Sequence, residues 1–291
     1  MIDFRIETFL TLCKLKNYTK TANEINITQP AVTQHIQYLE NKYNTKLFIK
    51  DGKTLTITES GELLKNFCEK IKAEELKLKK CFIEKDKVKL NFGATLTIGE
   101  YIMPQLISKY LKENPNNEIC MDVQNTNVLL YKLNKGLIDF ALIEGNFQKN
   151  NYSSKILSIE KFIGVSSTEL ELNDPVTLDE LCNYSLISRE PGSGTRNILK
   201  TFISENNLMI KDFNRVIETN NFKTIKYLLK QNIGISFLYE SVVKKELKEN
   251  ILKEINIINF NINHEFNFVY LKDSLFEKQY LEFYNFILKN I

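Results

Sequence analysis

The sequence predicts an α/β protein in which an all-α winged helix-turn-helix segment precedes a two-lobed α/β body. Three observations predict it. Short helical runs at residues 4–43 lead into two β-prone runs flanking Asp51-Gly52, a strong hairpin signal. A single apolar stripe runs through an otherwise charged stretch from about Glu59 to Lys85. From Val88 onward strand and helix patterns alternate, in two successive rounds.

In the first segment, Phe4, Ile6, Phe9, Leu10, Leu12 and Leu15 include helical spacings. Asn17 is placed to cap a second short helix carrying Ala22 and Ile25, and Asn26-Ile27 makes a tight turn. Thr28 is a good cap for a third helix, with Pro30 in the first turn, where a missing N–H costs little. That helix buries Ala31, Val32, Ile36 and Leu39 and ends near Tyr43-Asn44. The hairpin spans Leu47–Ile57. Thr58 then caps the long helix, whose stripe of Leu64, Phe67, Ile71, Leu78 and Phe82 suits pairing with a second copy or packing on a neighbouring domain.

The body reads as strands at Val88–Phe92, Ile119–Val123 and Ile138–Ile143, with helices at Ile98–Lys112 and Val128–Asn134. After a stretch near Lys155–Val165 come strands at Ser185–Ser188, Arg215–Thr219 and Gly234–Leu238, with helices at Thr195–Glu205 and Phe222–Lys230. A late strand (Phe266–Leu271) and a final helix (Leu275–Leu288) close the chain. This rhythm predicts parallel sheets covered by helices. The expected divisions are a DNA-binding domain at 1–58, a dimerisation helix at 59–86 and an effector-binding domain at 87–291. In the last, lobe 1 is 87–163 with 266–291, and lobe 2 is 164–265.

Composition narrows the function. Hydrophobic residues make up 43% and charged residues 26% of the 291, as in globular proteins. No run approaches the roughly 18 apolar residues of a membrane span, and the N-terminus lacks a secretory pattern, so a cytoplasmic protein with no membrane partner is expected. Five cysteines are widely spaced without Cys-x-x-Cys, and the two histidines, His35 and His264, sit far apart. That argues against disulfides, metal sites and histidine-based catalysis, so no cofactor and no enzyme activity are expected. Residues 1–86 hold 15 Lys+Arg against 12 Asp+Glu, whereas the remainder balances at 24 against 24. The whole positive excess lies in the first segment, in keeping with a polyanion partner.

A recognition helix must show short polar side chains to the major groove. Gln29, Thr33, Gln34 and Gln37 lie on the outward side of the third helix, beside Thr28 and Pro30 at its start. Gln makes a bidentate contact with adenine, and Thr touches a thymine methyl or a phosphate. Thr19, Lys20, Lys50 and Lys53 are placed to contact phosphates, which set register. His35 reads as a partly exposed helix residue near the DNA backbone.

Asn17-Tyr18-Thr19-Lys20-Thr21-Ala22, the run Thr28–Ile36, Leu39-Glu40, Leu47-Phe48 and Thr58-Glu59-Ser60-Gly61 together resemble the N-terminal signature of LysR-type transcription regulators. Two positions depart from it: Asn44 stands where the family usually has Gly, and Lys50 where it prefers Arg, keeping charge but losing the bidentate fork. The resemblance implies a periplasmic-binding-protein-like C-terminal half that holds a small effector between lobes. It also implies a homodimer or homotetramer on double-stranded DNA.

Two segments suit the effector. Residues 93–97 follow the first strand and open a helix, and the Arg-Glu-Pro-Gly-Ser-Gly-Thr-Arg run at 189–196 does the same in the second lobe. Free N–H groups at helix starts attract anions, so Ser193, Gly194 and Thr195 are candidates for an anionic effector. Thr95 and Thr97 lie where the cysteine-biosynthesis regulators of the family place anion-binding hydroxyls. The 189–196 run resembles the subgroup controlling sulfur assimilation, sulfite response or carbon fixation. Arg196 is placed to meet an effector carboxylate or to pair with Glu144 at the end of the third strand. Asn127 is placed to reach the cleft or, on the stronger reading, to cap the helix after it. The alternatives are a thiol redox sensor acting through Cys182 and an enzyme on a solute-binding fold.

Overall fold

A computed structural model describes the chain except for residues 1–2, 52–53, 84–88, 145–146 and 148–151. The chain divides into two compact units. One comprises Met1–Lys85 with Asn134–Leu137; the other comprises Asp86–Leu133 with Ile138–Ile291.

The first unit is built from local signals. Helix α1 (Phe4–Leu15) is followed by α2 (Tyr18–Glu24), where the Asn17 side chain accepts from Lys20 N at 2.9 Å. Asn26 takes the left-handed conformation (φ 56°) in the turn, and Ile27 N donates to Ala22 O. Helix α3 (Gln29–Tyr43) begins where the Thr28 hydroxyl accepts from Ala31 N, and ends at Asn44 in the left-handed conformation (φ 48°). A short polar side chain tolerates that φ, which is why Asn serves at that turn. Strands β1 (Phe48–Asp51) and β2 (Thr54–Ile57) pair antiparallel, with Asp51 opposite Thr54. Phe9, Leu12, Ile36, Leu39, Leu47, Phe48 and Leu55 form the core between them.

The long helix α4 (Glu59–Ile83) starts at a compact junction. The Thr58 hydroxyl donates to Lys46 O at 2.7 Å and accepts from Gly61 N at 2.9 Å. The Glu40 carboxylate is buried and accepts from Leu47 N at 3.0 Å and Lys46 Nζ at 2.7 Å, tying the end of α3 to the start of the hairpin. Leu64 packs on the core, but Phe67, Ile71, Leu78 and Phe82 are exposed.

In the second unit, a seven-stranded sheet has the order β10-β6-β11-β5-β3-β4, with β9 also paired to β6. These strands are β3 (Lys89–Ala94), β4 (Glu118–Val123), β5 (Phe140–Glu144), β6 (Tyr152–Ser167), β9 (Ser236–Tyr239), β10 (Leu252–Ile255) and β11 (Ile262–Leu271). A separate parallel pair joins β7 (Ser185–Ser188) and β8 (Arg215–Glu218). The helices are α5 (Met103–Glu113), α6 (Thr126–Asn134), α7 (Leu178–Leu181), α8 (Gly194–Glu205), α9 (Phe222–Lys230), α10 (Glu240–Lys248) and α11 (Glu277–Asn290).

Parallel pairing, expected throughout, holds for β3 with β4 and β5 and for β7 with β8. It fails for β6, β9, β10 and β11, which pair antiparallel. The reason is β6: residues 155–165, left without a strand in the sequence reading, belong to one 16-residue strand. Its residues 152–162 pair with β11 beside β5, and its last residues pair with β9 and β10. One strand thus joins β11, β9 and β10 in a single sheet.

Helix formation after β3 also departs from the expected single helix. Ile98–Ile102 forms a π-helical turn before α5. Pro104 accounts for it, since it has no N–H to donate and its ring would crowd the carbonyl four residues back.

Candidate functional site

On α3, Gln29, Pro30, Gln34 and Gln37 are exposed and Thr33 is half-buried, all on the side away from Val32, Ile36 and Leu39. The Thr33 hydroxyl donates to Gln29 O at 3.2 Å and accepts from Gln29 Nε2 at 3.0 Å, which holds both side chains over the first turn. Thr28 is exposed and its hydroxyl is used in the cap. Thr19 and Lys20 at the start of α2, and Lys50 on β1, are exposed; Lys53, with Gly52, lies outside the described residues. His35 is partly exposed on α3, as expected, and also has an internal role. Its Nδ1 meets the Thr8 hydroxyl at 2.9 Å and its ring packs edge-on against Phe4 at 5.0 Å. It braces α3 against α1, and burial holds its pKa below the ordinary value.

In the second unit, three strands deliver their carboxyl ends to one place. Thr95 and Thr97 follow β3, Glu144 ends β5, and Arg189–Ser193 follow β7 and lead into α8. Thr95 N donates to Leu142 O at 2.9 Å, and its hydroxyl accepts from Glu144 N at 3.2 Å, so the two strand ends are stitched together. The Thr195 hydroxyl reaches Glu144 Oε1 at 3.4 Å from α8. Gly194 permits this approach: a Cβ there would come within 3.2 Å of the Glu144 carbonyl oxygen. Gly192 has φ +90°, a conformation that glycine adopts without cost.

These residues surround a cavity of about 240 Å³ lined by Thr95, Gln124, Glu144, Arg189, Ser193 and Asn220 among others. A second cavity of about 320 Å³ adjoins Glu144 and Gly194 on the side of Asn127, Asn197 and His264. Several buried polar atoms here meet no hydrogen-bond partner among the described residues: Thr97 Oγ1, Ser193 Oγ, Arg189 Nη1 and Glu144 Oε2. Burying such groups unpaired costs about 1–3 kcal/mol each, so a cluster of them calls for water, an ion or a ligand to satisfy it.

Arg189 is 6% exposed. Its Nε and Nη2 donate to the two Glu190 carboxylate oxygens at 2.8 and 3.0 Å, and its guanidinium lies over the Phe222 ring at 4.5 Å. Those contacts hold the guanidinium still and leave Nη1 free of a partner among the described residues. Glu144 is 2% exposed. Burial raises its carboxyl pKa to about 7; the nearby Thr97 hydroxyl, which falls short of hydrogen-bond geometry with it, the Arg189 charge and the Thr195 hydroxyl offset only part of that, and Glu190 adds to it.

Two expected roles are corrected. Arg196 does not pair with Glu144: its Nη1 lies 2.5 Å from Glu218 Oε1 and donates to Arg189 O at 2.9 Å. It lies in the first turn of α8 and meets the end of β8 instead. Asn127 does not cap α6, because the helix starts one residue earlier and Asn125 Oδ1 accepts from Val128 N; Asn127 stays exposed beside the second cavity. Arg189 is the residue sequence reasoning missed. Its signal was a charge at a strand's carboxyl end just before a glycine-rich turn. His264 carried no such signal. Cys182 is half-buried, and burial with the Asp179 and Asp212 carboxylates raises its pKa, opposite to the direction a reactive thiolate needs.

A family model described as bacterial regulatory helix-turn-helix protein, lysR family, matches residues 5–62, and one described as LysR substrate binding domain matches residues 85–291. The chain belongs to the LysR family. It is a DNA-binding transcription regulator with an effector-binding domain. This LysR regulator is 28% identical over 281 residues to the HTH-type transcriptional regulator CysL of Bacillus subtilis, covering 91% of this chain and 89% of that one. It is 23% identical to a probable RuBisCO transcriptional regulator of Thalassiosira pseudonana, covering 99% and 97%. In fold it is similar to the full-length LysR regulator LysG of Corynebacterium glutamicum with bound effector Arg, at a TM-score of 0.67, 12% identity and 99% coverage of both chains. Among the described residues no helix is long and apolar enough to cross a membrane.

Proposed function

We propose that this LysR regulator acts in the cytoplasm, without catalysis, by coupling a small anion held beside Glu144 to DNA binding by α3. The observation that carries the anion is the set of buried, unpartnered donors Thr97 Oγ1, Ser193 Oγ and Arg189 Nη1 at the start of α8 and the end of β3. Thr95 and Gly194 shape the same wall, Thr195 steadies Glu144, and the α8 N-terminus adds its dipole. Thermal-shift titration with sulfate, sulfite, thiosulfate, nitrate, phosphate and small carboxylates tests it. A saturable rise in melting temperature for at least one anion, lost in Ser193→Ala, is expected; no shift with any of them refutes the anion.

The domains in this reading are 1–58 for DNA, 59–86 for pairing and 87–291 for the effector, with lobes at 87–163 plus 266–291 and at 164–265. The exposed stripe of Phe67, Ile71, Leu78 and Phe82 on α4 supports a homodimer joined helix to helix, with a homotetramer as its higher form. Sedimentation of the full chain as a monomer at micromolar concentration would refute the pairing.

On DNA, Gln29, Thr33, Gln34 and Gln37 read base edges of an A/T-rich inverted repeat, Thr28 and Pro30 set the entry of α3, and Thr19, Lys20, Lys50 and Lys53 hold phosphates. Thr33→Ala and Gln37→Ala should each weaken operator binding by about 1–3 kcal/mol. Fluorescence anisotropy on operator and random duplexes checks this, and an equal loss on both would assign these residues to the backbone.

The redox alternative through Cys182 finds no support in the surroundings of that thiol.

A further inference from the structure

The donors that suit an anion surround a carboxylate. Glu144 Oε2 is buried and unpartnered among the described residues, in the same cluster as Thr97 Oγ1, Ser193 Oγ and Arg189 Nη1. The turn after β3 brings Glu144 hydroxyls and no charge. The turn after β7 brings Arg189, whose charge is matched by Glu190 at 2.8 Å. Helix α8 brings Thr195 on the Glu144 side, while Arg196 is paired with Glu218. Strand β9 brings Tyr239, a neutral phenol whose pKa burial raises further, and β11 brings His264, whose pKa burial lowers. Tyr239 and His264 face each other at 3.5 Å. No element packed around Glu144 therefore supplies an unmatched cation among the described residues.

An oxyanion held by Thr97, Ser193 and Arg189 Nη1 sets its oxygens against those of Glu144. Two like charges do not share a dry pocket. A single proton between the oxygens turns that repulsion into a charge-assisted hydrogen bond. We propose that Glu144 is the proton-bearing contact of the effector: it enters the complex as the neutral acid and donates its Oε2–H to a small oxyanion that carries no proton of its own. The balance is simple. One proton comes from solvent to a Glu144 carboxylate, no other bond is made or broken, and the complex keeps the charge of the anion. Free Glu144 is held at a pKa of about 7, so the acid form is already well populated near neutral pH. The sign follows: rising pH removes the donor and weakens binding. The turn after β7 gives the cleft its affinity for an anion, and Glu144 makes that affinity depend on pH and prefer ligands that accept a proton at this point.

This inference rests on the anion reading of the cleft, and its test separates the two. Calorimetric titration of the full chain with sodium sulfate is run between pH 6 and 8.5 in buffers of differing ionisation enthalpy. The expected proton uptake is roughly one half near pH 7 and approaches one above it, with affinity falling up to about tenfold per pH unit there. Glu144→Gln keeps an N–H donor and the acceptor for Thr195, so sulfate should bind it with no proton uptake and a flat pH profile. Sulfate binding without proton uptake in the native chain overturns the proposal while leaving the anion reading intact, as does uptake that persists in Glu144→Gln. Tighter binding at higher pH also overturns it, because the site would then take the anion with Glu144 ionised and without a shared proton. Failure of sulfate, sulfite, thiosulfate, nitrate, phosphate and small carboxylates to bind at any pH removes the anion reading itself.

Discussion

Phe140→Ala should destabilise the effector-binding unit by about 3–5 kcal/mol. Phe140 is fully buried on β5, with ring centroids 4.6 Å from Phe268, 5.0 Å from Phe92, 5.6 Å from Phe283 and 5.8 Å from Tyr280. Those rings come from β3, β11 and α11, so truncation opens a cavity where distant parts of the chain meet. The aromatic pair terms, each about 0.5–1.5 kcal/mol, are lost with the buried area. Because Phe140 lies four residues before Glu144 on the same strand, the end of β5 should loosen and anion binding should weaken in parallel. Chemical denaturation followed by a probe in the second unit measures the first effect. A loss below about 1 kcal/mol would mean that the ring's neighbours close over the gap.

Gly61→Ala should cost the first unit roughly 2–4 kcal/mol and abolish tight operator binding. A Cβ at Gly61 would overlap the Leu47 carbonyl oxygen and come within 2.5 Å of Ile57 Cγ1. Leu47 O is also the acceptor of Thr58 N at 3.0 Å, so the clash falls on backbone that already bonds the hairpin to α4. The backbone cannot yield without losing that bond or the 2.9 Å bond from Gly61 N to the Thr58 hydroxyl. Lys50 on β1 is carried by the same junction. Thermal melting and anisotropy on the operator read both effects; a variant with native melting and native affinity would show that the helix start shifts freely.

The parts of the fold legible in the sequence are those whose causes lie within a few residues. Asn17 and Thr28 accept from backbone N–H groups three residues ahead, and Asn44 turns left-handed at a helix end. Each is a local hydrogen bond or a local steric allowance. The outward row of Gln29, Gln34 and Gln37 follows from the helical period, because Val32, Ile36 and Leu39 claim the other side. Thr58 and Gly61 were readable as a motif, although the Leu47 carbonyl that excludes a side chain at Gly61 was not.

What the tertiary structure alone decided concerns partners far apart in the chain. Long-strand β6 was not legible because most of it is sorted by β11 and its last residues by β9 and β10, each about 70 or more residues further on. Arg196 had Glu144 and an effector as equal candidates by position, and the close of β8 put Glu218 in reach of it instead. Glu144 read as an effector-site candidate at the end of a strand; only the meeting of β3, β5 and α8 buried it and placed Thr195, 51 residues away, against its carboxylate. The sequence by itself determined the starts of α2, α3 and α4, the hairpin, the family signature and the outward face of α3, since caps and periodicity act over one or two turns. The depth and electrostatics of the cleft were decided by folding, since desolvation depends on everything that surrounds a group and not on its neighbours in the chain.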